Sequence, residues 1–364
     1  MIKPVALLLL VVVSAASWAQ GHAPGAKPGP HNAITDVPGI SVGHFTGSDA
    51  GTTVVLAASA TGQGVAGGVT QRGGSPGTRE TDLMRPDNMV ETMNAIVLSG
   101  GSAFGLAAAS GVMRCLEDRG VGFPVGGGNV VPIVPTAVSF DRATCGRPAS
   151  SRPDFTSGLQ ACVAASNGAV EQGNVGAGAG AVSGGIKGGI GTASIVLPNG
   201  IVVGAIVSVN SEGAPYDDEG DLYAASLELD NEFRTLTKGG GHRHRVPASL
   251  PGGPLRSGTN AVVATNVTLT KSQATKIAEM ADDGVSRAVN PAHTPGDGDT
   301  LFVLGTARLA MATLGDESAV VTQIGTAAAN AVSRAIVHAL LSAQSTSCQQ
   351  SYCDTFPSAC RNRR

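Results

Sequence analysis

Two apolar runs, Thr192–Leu197 and Ile201–Asn210, meet across Pro198-Asn199-Gly200. An Asn-Gly pair between such runs is the strongest short signal for a hairpin, because Asn and Gly tolerate the positive φ of a tight turn. A hairpin joins antiparallel neighbours, which favours a mixed sheet over a purely parallel one. Further strands read at Thr53–Ala57, Asn94–Ser99, Asn260–Asn266 and Leu301–Gly305. Helical periodicity appears at Phe104–Arg119, at Ser157–Gln172, from a cap at Thr270 to about Val289, and at Val320–Leu341. Alternating helices and strands with hairpin connections predict an α+β fold of packed layers.

Aromatic residues make up only 3% of the chain, against 51 glycines, so Ala, Val, Ile and Leu must build the core. A net charge of −3 gives no electrostatic footprint for nucleic acid or an anionic membrane. The basic runs 242–245 and 361–364 read as solvated loops or ends.

Lys3 followed by the apolar run Val5–Ala15 and by Ser17-Trp18-Ala19 reads as a secretory signal cut after Ala19. The run is shorter than the ~18–20 apolar residues of a membrane span. Residues 20–32 read as an unstructured leader, 33–345 as one domain, and 346–364 as a loose tail with cysteines. Export exposes cysteines to oxidation. A local bridge among Cys348, Cys353 and Cys360 is one reading of the tail, with the pairing left open, whereas Cys115 and Cys162 read as buried thiols inside helices. Residues 214–256, polar and rich in Pro and Gly, read as an exposed loop or processed linker.

Four clusters could carry chemistry. Gly100-Gly101-Ser102 lies between a strand and a helix, where backbone N–H groups can face a substrate. The run Asn174–Ala181 lacks the preceding strand and following acid of a dinucleotide site. Nearby, Lys187 is a lone cation among small residues: a surface turn, or a buried cation beside a reacting centre. Asp297 and Asp299, two residues apart, lack the rest of a calcium loop; they form a polar turn or orient a hydroxyl or amine. No cysteine has a metal-ligand spacing with histidine, so no metal site is expected. Finally, Ser257-Gly258-Thr259-Asn260 opens a strand. A threonine at a chain's N-terminus carries its own base, since a free α-amine has a pKa near 7.7–8.0. A cut between Gly258 and Thr259 would create nucleophile and base together.

These residues resemble the P1-family (S58) peptidases: L-aminopeptidase/D-esterase/amidases, β-peptidyl aminopeptidases and nylon-oligomer hydrolases. The resemblance rests on Arg72–Leu83, Leu98–Leu106, Lys187–Ala193, Val209-Asn210-Ser211, Val262–Asn266, Pro291–Thr294 and Asp297–Thr300. It spans about Ile34 to Leu341. It implies a four-layer α/β/β/α sandwich similar to N-terminal-nucleophile hydrolases, no cofactor, and self-cleavage into α and β chains that stay together in a homo-oligomer. It also implies release of N-terminal residues from small peptides, amides or esters, which the signal segment would place in the periplasm or outside the cell. Carried over, Asn210 is the oxyanion donor, Lys187 lies near the nucleophile, and Asp297 and Asp299 orient the nucleophile and its amine.

This sequence departs from the family at the nucleophile. Relatives read Asn-Thr-Thr-Ile-Gly before Val-Val-Ala-Thr-Asn, and counting back from Val262 places Gly258 where the first Thr stands. Either a one-residue gap makes Thr259 the nucleophile, or the nucleophile is lost and the chain stays uncut as a binding protein. Ser257 is a third choice. A one-residue slip matters because it reverses the sheet face a side chain occupies. Acyl transfer, the chemistry of the similar self-cleaving ornithine acetyltransferases, is a further alternative.

Overall fold

A computed structural model describes residues 21–141, 152–237 and 257–361. Its strands, in chain order, are β1 (Ile40–Thr46), β2 (Gly51–Ala57), β3 (Ala66–Gln71), β4 (Gly77–Arg79), β5 (Ala95–Ser99), β6 (Phe123–Gly126), β7 (Asn129–Val131), β8 (Thr136–Val138), β9 (Val182–Ser183), β10 (Ile186–Lys187), β11 (Gly189–Val196), β12 (Val202–Val209), β13 (Asn260–Val267) and β14 (Thr300–Leu309). The α-helices are α1 (Ala108–Glu117), α2 (Phe155–Val163), α3 (Lys271–Ala288), α4 (Glu317–Ser342) and α5 (Tyr352–Thr355).

Two mixed sheets, ordered β1-β2-β5-β8-β4 and β11-β12-β13-β14-β3, face one another. Between them lie Val55, Ile96, Leu98 and Ala137 from the first, and Ile190, Ile206, Val262, Phe302 and Leu304 from the second. Helices α1 and α2 cover the outside of the first sheet through Val112, Leu116 and Ala161. Helices α3 and α4 cover the second through Ile277, Val285, Val332 and Ile336. The chain is therefore the four-layer α/β/β/α sandwich that the resemblance implied.

The hairpin of β11 and β12 pairs from Gly189↔Val209 to Val196↔Val202, with Gly200 at φ 84 in its turn. Parallel β13 and β14 are joined by α3. Thr270 opens that helix as expected: its hydroxyl accepts from Gln273 N, and the Gln273 side chain accepts from Thr270 N, a reciprocal cap. Helix α4 is long and apolar enough to cross a membrane, but 89% of its most apolar stretch is buried in the protein.

Several sequence expectations change. The signal segment 1–19 and residues 238–256 lie outside the described residues. From Gly21 onward the leader is ordered: Lys27 pairs with Val196 on the edge of β11, and Gly29 N donates to Ser194 Oγ. Main-chain pairing to a sheet edge needs no apolar period, so composition alone misread it. The stretch after 214 is not simply exposed, because Tyr216, Leu222 and Phe233 are buried. The tail is not loose: Tyr352 and Phe356 join the same core, and Cys353 is bridged to Cys360. Helix α2 ends at Val163, well short of Gln172.

Cys115 and Cys162 form a disulfide rather than standing as thiols. Close packing of α1 on α2 brings them together. A Cβ on Gly111 would sit 1.9 Å from Phe155 O, and one on Gly158 would sit 1.8 Å from Ala108 O. Only glycine permits that approach.

Candidate active site

The junction Gly258–Thr259 immediately precedes β13, a central strand between β12 and β14. Side chains alternate along it. Val262 and Ala264 point between the two sheets, while Ala261 and Val263 point to α3 and α4. Continued backward, this period turns Asn260 and the Gly258 position toward the inter-sheet side and Thr259 toward the helices.

Thr259 is 2% exposed, and its buried hydroxyl has no hydrogen-bond partner among the described residues. An unsatisfied buried hydroxyl costs roughly 1–3 kcal/mol. Such exceptions call for an explanation, a catalytic role among them. Its N–H donates to Asp299 Oδ1 at 2.6 Å. Asp299 lies beside it on β14's approach, because Asn260 pairs with Thr300 in parallel register.

Asp299 belongs to a chain of paired charges on the helix side. Its Oδ2 accepts from His293 N at 3.1 Å and meets His293 Nδ1 at 2.9 Å. The other ring nitrogen of His293 lies 3.1 Å from Asp282 Oδ2 on α3. Burial pulls the His293 pKa down, but the Asp282 and Asp299 carboxylates outweigh it and lift it to about 9. His293 is therefore an imidazolium at neutral pH, clamped between two carboxylates. It also holds φ 58, a left-handed conformation costly for a residue with a side chain.

Asp297 does different work. It accepts from the Ser257 hydroxyl, from Glu212 N at 3.3 Å and from Thr294 N at 3.1 Å. It anchors the segment upstream of the junction, together with the parallel bridge Ser257↔Asp297. Ser257, the third candidate nucleophile, has its hydroxyl committed there.

Asn210 sits on the opposite face from Thr259. Its carbonyl accepts Gly258 N at 2.7 Å, its Oδ1 accepts Val182 N at 3.0 Å, and its Nδ2 reaches Phe140 O at 3.4 Å. In the continuous chain the amide of Asn210 and the hydroxyl of Thr259 thus leave opposite sides of the ladder. Lys187 is buried, not a surface lysine. Its ammonium donates to the carbonyls of Gly178, Ala181 and Gly188 at 2.8–2.9 Å. Lys187 pairs with Val182, whose N–H holds Asn210, so lysine and amide share one scaffold.

The three N–H groups of Gly100-Gly101-Ser102, expected to face a substrate, have partners within the protein. Gly100 N donates to Gly51 O, Gly101 N to Asp141 Oδ1, and Ser102 N to Ser139 O. None of these N–H groups remains for a ligand, because the turn uses them to tie β5 to its neighbours. The structure adds three residues beside the junction that were not among the sequence candidates: His293 and Asp282 on the Asp299 side, and Ser139 against Gly258 O. His293 lies within Pro291–Thr294, and its place six residues before Asp299 in a turn is the signal the sequence carries for it. Asp282 and Ser139 reach the site only through tertiary packing.

Comparison with known proteins agrees with this architecture. The profile of peptidase family S58 matches residues 32–353. An uncharacterized aminopeptidase of Mycobacterium leprae (strain TN) is 41% identical over 361 residues, covering 91% of this chain and 96% of the relative. A 6-aminohexanoate-oligomer endohydrolase of Kocuria sp. (strain KY2) is 28% identical, covering 74% of each chain. Among solved structures, a Burkholderia sp. beta-aminopeptidase superposes with a TM-score of 0.67 at 24% identity, covering 94% of this chain and 99% of that one. The L-aminopeptidase D-ala-esterase/amidase of Ochrobactrum anthropi, described as a variant of the Ntn hydrolase fold, gives 0.66 at 22% identity, covering 91% and 93%. With a family match across most of its length and the fold of Ntn hydrolases, the chain belongs to peptidase family S58.

Proposed function

We propose that this S58 hydrolase is exported, cuts itself between Gly258 and Thr259, and then releases N-terminal residues from small peptides, amides or esters with Thr259 as nucleophile. The observation that carries the reading is the buried, unbonded Thr259 hydroxyl on the residue whose N–H is held by Asp299. A hydroxyl with no competing partner is free to attack, and the adjacent nitrogen becomes its base once the peptide bond is cut. The relatives named as aminopeptidases support the substrate class. The disulfides Cys115–Cys162 and Cys353–Cys360 support an oxidising destination.

In this mechanism Thr259 Oγ attacks the substrate carbonyl while its own α-amine takes the proton. Asp299 holds the amine in place. The His293 imidazolium, 2.9 Å from Asp299 Oδ2, offsets part of that carboxylate's charge. Freed from Gly258, Thr259 loses one backbone tether, and its hydroxyl can turn toward the face where Asn210 presents its amide. There a side-chain amide aimed at the oxyanion contributes ~3–4 kcal/mol. The acyl-enzyme is then released by water.

One observation favours a second reading, an uncut relative: glycine, which has no nucleophile, occupies the junction position on Asn210's face. Denaturing gels with N-terminal sequencing separate the two. The first reading expects two chains, the smaller beginning at Thr259. Thr259→Ala should leave one uncut chain with amidase activity lowered by more than ~10³-fold, while Thr259→Ser should still cut and turn over. An uncut wild-type chain that hydrolyses amides would refute it.

A further inference from the structure

We propose that Ser139 is the hydroxyl donor that stabilises the oxyanion at the Gly258–Thr259 junction, first in self-cleavage and then in turnover. The inference rests on the self-cleavage reading above and assigns a residue to it.

The hydroxyl of Ser139 donates to Gly258 O at 3.2 Å, and Gly258 O is the carbonyl oxygen of the bond to be cut. Ser139 follows β8 in the opposite sheet, 119 residues away in sequence, and is 1% exposed. Its main chain is fixed on both sides: Ser139 N donates to Ser99 O at 2.9 Å, and Ser139 O accepts Ser102 N at 3.0 Å. Its side chain is oriented too. Asn260 Nδ2 donates to Ser139 Oγ at 3.2 Å. With one lone pair taken by Asn260, the hydroxyl proton is directed at Gly258 O. This is a pre-aimed donor in a buried site, the arrangement that stabilises a developing oxyanion without reorganisation.

Asn210 adds to the same corner. Its amide nitrogen reaches the carbonyl of Phe140, the residue after Ser139, and its own carbonyl holds Gly258 N. Ser139 and Asn210 thus flank the Gly258 peptide from the two sheets.

The chemistry explains why one donor serves twice. In self-cleavage the Thr259 Oγ–C bond forms to the Gly258 carbonyl carbon, and the bond from that carbon to Thr259 N breaks. The hydroxyl proton passes to the departing nitrogen. Water then splits the ester, giving the Gly258 carboxylate, the Thr259 hydroxyl and a free amine. In turnover the ester on Thr259 Oγ is the same group, with the substrate's acyl part in place of Gly258. Gly258 is therefore a substrate in cis, and what holds its carbonyl marks where the substrate carbonyl binds.

The test follows self-cleavage of pulse-labelled full-length chain made cell-free under oxidising conditions, for wild type, Ser139→Ala and Ser139→Cys. Thermal melting of each reports folding. A hydroxyl-donor role slows cutting in Ser139→Ala by at least ~10-fold, toward the ~10²–10³-fold typical of a lost oxyanion donor. Cysteine fills nearly the volume of serine but donates weakly, so Ser139→Cys should be about as slow as the alanine variant. In material that has finally cut, kcat on alanine p-nitroanilide should fall with KM little changed. A packing role predicts instead that cysteine restores the wild-type rate. That result, or alanine cutting as fast as wild type, overturns the inference alone. A wild type that stays uncut overturns the self-cleavage reading and the inference with it.

Discussion

His293 shows how single residues at this site are set by their neighbours. Its imidazolium is held by Asp282 and Asp299, with a folded pKa raised to about 9 from an ordinary 6.5. A raised pKa adds stability that is complete below pH 6.5 and is lost as pH rises through 9. Unfolding free energy should therefore fall between those values in the wild type and much less in His293→Gln. Denaturant titrations at pH 6, 8 and 10 measure it; equal slopes in the two proteins would refute the assignment. Thr259 is the complementary case. Its hydroxyl has no partner to lose among the described residues, so Thr259→Ser should cost little stability while it keeps the proposed nucleophilic hydroxyl.

At the scale of elements, α4 is fastened to the second sheet by a buried charge cluster. Arg334 on α4 is fully buried and binds Glu232 at both Nε and Nη2, and it also donates to Ser194 O on β11. Glu232 in turn meets His338 and accepts from the Asn32 amide. Burial alone would raise the Glu232 pKa, but the hydrogen bonds of His338 and Arg334 prevail and lower it to about 2. Removing one member leaves an uncompensated buried charge, which costs ~3–5 kcal/mol. Glu232→Ala should lose that much in chemical denaturation and lower the melting temperature accordingly. A loss under ~1 kcal/mol would show that Arg334 finds another partner. This cluster also explains why the leader is ordered: Asn32 belongs to it.

At the scale of the molecule, the proposed cut site lies at the start of a central strand, not in a peripheral loop. The segment before Thr259 supplies β11, β12 and β3, and the segment after it supplies β13 and β14. The sheet order interleaves the two, and both halves contribute to the core under α3 and α4. Cleaved chains should therefore elute together in gel filtration under native conditions and separate only in denaturant. Separation in native buffer would contradict this sheet order.

Local signals in the sequence determined a good deal. The Asn-Gly turn gave the β11–β12 hairpin, the Thr270 and Gln273 pair gave the start of α3, and the apolar run after Thr259 gave β13, because each depends on neighbours in the chain. Motif resemblance supplied the family and the layer order. Tertiary structure alone decided the rest. The faces of Gly258 and Thr259 follow from how β13 registers with β12 and β14. Asp282, His293 and Ser139 meet the junction from α3, a turn and the opposite sheet. The Cys115–Cys162 bridge needs two glycines that let helices touch. Such contacts join residues far apart in the chain, and no local pattern encodes the distance at which they meet.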